Sequence, residues 1–81
     1  MLTALFSRNP TVATRVNEEL MWKIVHSLRL RFPEAKSRWE IVHRYGQHYG
    51  DECVRDSLDK AIKIGELVED EDNIYFNVAN F

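Results

Sequence analysis

A single cysteine, Cys53, leaves the chain without an internal disulfide framework and suits a reducing compartment. No uninterrupted apolar run approaches the roughly 18 residues that span a bilayer, so no membrane-spanning segment is predicted. The opening "MLTALFSRNP" has few apolar residues and no basic leader before them, so no signal peptide is expected. Together these absences predict a cytoplasmic protein, or a nuclear one in a eukaryotic source. Only three glycines occur, at 46, 50 and 65, and none belongs to a phosphate-cradling loop. His43, His48 and Cys53 are spaced five apart, match no recurrent zinc spacing and have no evident fourth ligand. The carboxylates follow no EF-hand spacing. A Cys–His pair can be drawn, but no oxyanion-donating loop completes it. No metal, cofactor or catalytic activity is predicted, and the chain is read as a non-enzyme. Internal repeats and low-complexity stretches are also missing.

What is present is enough for one small domain spanning 1–81. Of 81 residues, 44% are hydrophobic and 30% charged, the balance of a globular chain with one modest core. The net charge of −2 conceals a division. Residues 1–50 hold eight Lys/Arg against four Glu, a net of +4, while residues 51–81 hold three Lys/Arg against nine Asp/Glu, a net of −6. Asymmetry of this kind concerns partners rather than fold.

Local patterns place the elements. Asn17 is a good N-cap, with Glu18 and Glu19 at the positive end of the helix dipole. Leu20, Met21, Ile24, Val25, Leu28 and Phe32 then share one helical face, and Lys23, His26 and Leu30 point away from it. Pro33 ends a helix predicted over 17–32. "SRWE", from Ser37, is a capping box opening a second helix over 38–46, with Ile41, Val42 and Tyr45 inward. Gly46 and Gly50 bracket "GQHYG", which reads as a turn. Asp51 is expected to cap a third helix over 51–64, with Val54, Leu58, Ala61 and Ile62 inward and Gly65 as its left-handed stop. The period then changes to two. "ELVED" and "IYFNV" predict a hairpin over 66–78 about the loop "EDN", with Ile74, Phe76 and Val78 on one face. Trp22 and Trp39 are expected as packing at the core margin. Residues 1–13 carry no assigned structure beyond a break at "RNPT". Leu2, Leu5 and Phe6 suit either a turn covering the first helix or, with that helix and Leu30, a homodimer patch.

This order of helices and hairpin resembles the winged helix-turn-helix superfamily over about residues 16–78. "SRWEIVHRYGQHYG" matches the first helix and turn of the motif, "DECVRDSLDKAIKIG" the recognition helix, and "ELVEDEDNIYFNV" the wing. The usual first strand is not visible in "PEAK", so the hairpin is either the whole sheet or pairs with a residue or two there. The resemblance implies a compact α+β three-helix winged helix with a C-terminal hairpin wing, and a DNA-binding transcriptional regulator. It places Arg38, Arg44, Gln47, His48, Arg55, Lys60 and Lys63 toward double-stranded DNA, with Arg38 at a phosphate. The exposed face of the recognition helix also holds Glu52, Asp56 and Asp59. The wing tip holds Glu69, Asp70, Glu71 and Asp72, where such proteins commonly place a cation. Carboxylates near the DNA backbone oppose binding. The alternative reading is therefore a protein-interaction winged helix that uses its acidic wing or its basic first half on another macromolecule, with an acidic recognition helix and wing that do not bind DNA.

Overall fold

The computed structural model describes residues 15–81, so the readings made for residues 1–13 lie outside the described residues. The chain forms three helices and a three-stranded antiparallel sheet, an α+β arrangement with a C-terminal hairpin wing. Helix α1 spans Glu18–Leu30, and the Asn17 side chain accepts the Leu20 amide at 2.9 Å, as its N-cap position predicts. Strand β1 is only Lys36–Ser37. Helix α2, Arg38–Tyr49, opens on the capping box: Ser37 Oγ accepts the Glu40 amide, and the Ser37 amide donates to Glu40 Oε1, both at 3.1 Å.

Helix α2 runs past its predicted end, through the whole of "GQHY". Gly46 is helical rather than a turn residue; a side chain there would collide with the Asp51 carboxylate. The break falls at Gly50 alone, with φ of 91°. Helix α3 follows at once, Asp51–Lys63. Gly50 is its N-cap, so Asp51 lies in the first turn instead of capping it. At the other end Gly65 adopts φ of 86°. Its amide donates to the Ile62 carbonyl at 3.1 Å and the Glu66 amide to the Ala61 carbonyl at 2.9 Å, the paired bonds of a Schellman stop.

Strands β2 (Leu67–Asp70) and β3 (Asn73–Phe76) form the hairpin, with Glu71 at φ of 59° in its turn. The loop is one residue tighter than predicted, because Asn73 pairs with Asp70. β3 is central: Lys36 faces Ile74 and Ser37 faces Asn73, so the two residues after "PEA" do supply the extra strand. Val78 departs from its expected inward position. Asn77 turns the chain by donating from Nδ2 to the Gly65 carbonyl, and its Oδ1 accepts the Ala79 amide, opening a 3-10 turn over Val78–Asn80 that leaves Val78 exposed.

The core joins the three helices and the hairpin. Leu20, Met21, Ile24, Val25 and Leu28 of α1 meet Ile41 and Val42 of α2, Val54, Leu58 and Ala61 of α3, and Leu67, Ile74 and Phe76 of the hairpin. Phe32, Tyr45 and Ile62 pack against it half-buried. The polar exception is Ser57 of α3, fully buried. Its hydroxyl accepts the Asn17 amide at 3.0 Å and lies 3.4 Å from the Asn17 carbonyl, tying the start of α1 to α3. Among the described residues no helix is long and apolar enough to cross a membrane.

Candidate functional site

Arg38 opens α2, where the family resemblance places a phosphate contact. Its guanidinium is already engaged. Nε donates to Glu69 Oε2 at 3.0 Å, and Nη2 donates to Glu69 Oε1 at 3.0 Å and to Asp59 Oδ1 at 2.8 Å. The fork on Glu69 is bidentate, the strongest geometry for this pair of groups. Both partners are partly shielded, with side chains 29% and 28% exposed. The hydrogen bonds from Arg38 hold the Glu69 carboxyl below its ordinary value, against the opposing effect of partial burial. The same bond to Glu69, opposed by desolvation and assisted by Asp59, holds Arg38 more firmly protonated. Glu69 is thus a clamp within β2 rather than part of a solvated tip.

Of the predicted residues, Arg38, Gln47 and Arg55 line one cleft, between α2 and α3. Lys60 is ion-paired with Glu18 in the first turn of α1. Arg44 lies over the Tyr45 ring, 5.9 Å from its centroid. It lines a cleft between α1 and α2, whereas Arg55 lines a separate cleft between α2 and α3. Lys63 is exposed in the last turn of α3. Gln47 and His48 are exposed on the last turn of α2, not in a turn between helices, and the His48 ring meets Tyr49 edge-on. On the acidic side, Glu52 pairs with Arg15, and Asp59 is taken by Arg38. Asp70, Glu71 and Asp72 remain exposed at the tip.

Trp39 was expected at the core margin, but it is 70% exposed. One face of its indole lies against the His43 ring, nearly parallel, with an interplanar angle of 6° and centroids 4.8 Å apart. The i, i+4 spacing of Trp39 and His43 is the sequence signal for this pair, since such residues are neighbours on a helix surface. The pair forms a ridge shared by the two clefts. Trp22 is also exposed, at 44%. Cys53 is half-buried, and among the described residues no three His, Cys, Asp or Glu side chains converge on a possible metal site.

Comparison with family models, with curated proteins and with solved structures finds no match to this chain.

Proposed function

We propose that this chain is a protein-interaction module on a winged helix-turn-helix scaffold, with no catalytic role. Its acidic wing tip faces a basic protein partner instead of DNA, while Glu52 and Asp59 of the recognition helix are paired within the chain. One observation carries the reading: Arg38, the group a helix-turn-helix protein would offer to phosphate, is occupied by Glu69 from the wing and Asp59 from α3. Releasing it for phosphate would strand a partly buried carboxylate and forfeit a bidentate pair. The wing tip adds Asp70, Glu71 and Asp72, which would sit against the DNA backbone and repel it. Arg55 and Lys63 are the remaining exposed cations on α3. Two cations on the recognition helix offer little of the counterion release from which DNA affinity is built, and Arg44 lines a different cleft from Arg55.

Duplex DNA titrated at low salt should give no binding at about 100 μM protein, although ordinary non-specific constants fall at about 10⁻⁴–10⁻⁶ M. A labelled Arg/Lys-rich peptide should bind and lose affinity when Asp70→Asn, Glu71→Gln and Asp72→Asn are combined. Salt-dependent DNA binding that weakens with Arg55→Ala would overturn the reading in favour of a DNA-binding regulator.

A further inference from the structure

We infer that the cleft between α1 and α2 is a second docking site, of opposite sign to the wing, that receives an acidic protein segment carrying one apolar anchor. The cleft encloses about 300 Å³. Its lining has the buried core residues Ile24, Leu28 and Ile41 beneath it and the exposed indole of Trp39 at its side, so an apolar side chain entering it packs on Trp39 and the edge of the core. Trp39 forms one lip, its ring steadied by His43. Arg31, Lys36 and Arg44 supply the charge around the opening.

The state of those cations separates this surface from the one around Arg38. Arg31 and Arg44 are exposed and make no ion pair among the described residues. Lys36 has only Glu34, at 4.0 Å. The one carboxylate in the lining, Glu40, is committed to the capping box with Ser37. The lining therefore carries Arg31, Lys36 and Arg44 against the single carboxylate of Glu40, an excess of positive charge above an apolar floor.

That combination selects the occupant. A nucleic-acid strand matches the rim and can stack a base on Trp39, but the polar edges of a base find no partners against Ile24 and Leu28. The chain's own segments each match half of the site. Residues 1–14 hold Leu2, Leu5 and Phe6 but no Asp or Glu, so they bring no charge to meet the cations. The hairpin tip of a second copy, Glu69 to Asn73, is acidic but has no apolar side chain. A foreign segment with Asp or Glu flanking a leucine or phenylalanine satisfies floor and rim together. Burial of the anchor supplies affinity, and the flanking charges supply register and encounter rate.

The test uses a labelled peptide of Asp and Glu around a central Leu-Phe pair, titrated into the full chain by fluorescence anisotropy and by amide NMR. Shifts should concentrate at Ser27, Arg31, Lys36, Trp39 and Arg44, including the Trp39 indole N–H. Arg31→Glu with Arg44→Glu should weaken binding about tenfold or more. Replacing Leu-Phe by Ser-Ser in the peptide should weaken it similarly. Both arginines are exposed, and circular dichroism of the double variant checks that its helices are intact. No shifts at about millimolar peptide would overturn the proposal. So would equal affinity for the Ser-Ser peptide, which would leave charge alone. Shifts mapping to α3 and the hairpin, a single-stranded oligonucleotide binding where the peptide does not, or a self-associated species abolished by the double variant would each assign the cleft elsewhere or to another occupant.

Discussion

At the scale of single residues, the most informative side chain is Arg38. Its charge and helix position are plain in the sequence, but its partners are not. Glu69 lies 31 residues further on, and only the fold brings the two together. Removing either end leaves a charged group short of its hydrogen bonds. Arg38→Ala or Glu69→Ala should therefore cost about 1–3 kcal/mol in a urea titration. The pH response follows from the lowered Glu69 value. A carboxylate whose value is lowered by folding stabilises the fold above its unfolded value, about 4.3 for Glu, and loses that contribution as pH falls through the lowered folded value. The gap in stability between the native chain and Glu69→Gln should shrink as pH drops from about 6 toward 3. A gap that is constant over this range would remove the ionised pair from the account. Ser57 is a different residue-scale lesson. Nothing marks it as buried until α1 and α3 are placed side by side, and Ser57→Ala should cost about 1–3 kcal/mol by stranding the Asn17 amide.

At the scale of elements, local chemistry was a good guide where its causes are local. The Asn17 cap, the "SRWE" box and the Gly65 stop each act within a few residues, and each is where the sequence places it. Leu58→Ala should accordingly cost about 2–5 kcal/mol, the range for a buried leucine, measured by denaturant unfolding. Gly65→Ala should cost about 1–2 kcal/mol, because a Cβ disfavours its left-handed backbone. What sequence reading missed has a tertiary cause. Gly46 looked like a turn residue, yet it is a helical glycine whose missing side chain leaves room for the Asp51 carboxylate. β1 is two residues long and exists only because β3 lies beside it, too short for any periodicity to reveal. Trp39 sits beside its helix's apolar stripe, and whether that margin is covered depends on a neighbour that α1 does not provide.

For the whole molecule, the division between a basic first half and an acidic second half is partly resolved internally. Arg15 with Glu52 and Arg38 with Asp59 and Glu69 join the basic half to the acidic one, while Lys60 with Glu18 joins the halves in the opposite sense. The charge split thus helps to close the fold before any second molecule is involved. Of the charges without an ion pair among the described residues, Arg31 and Arg44 lie at the α1–α2 cleft, Arg55 and Lys63 on α3, and Asp70 to Asp72 at the wing tip. Sedimentation at about 50 mM and about 500 mM salt should show no oligomer that dissociates on screening, since part of the opposite charge is already paired within the chain. An oligomer lost at high salt would mean that copies meet through these unpaired charges. One that persists would point to an apolar contact such as Leu2, Leu5 and Phe6 would make.

Ser37 belongs to two elements at once. It pairs with Asn73 in the sheet and caps α2, and the next amide, Arg38, donates to the Asp72 carbonyl at 3.3 Å. The wing therefore has no hinge of its own toward α2. Detaching β3 would strip the residue that starts the helix, so strand opening and fraying of that first helical turn become one event. Amide hydrogen exchange should report this as a shared opening free energy, with Ser37, Arg38 and the central strand exchanging together as a single cooperative unit.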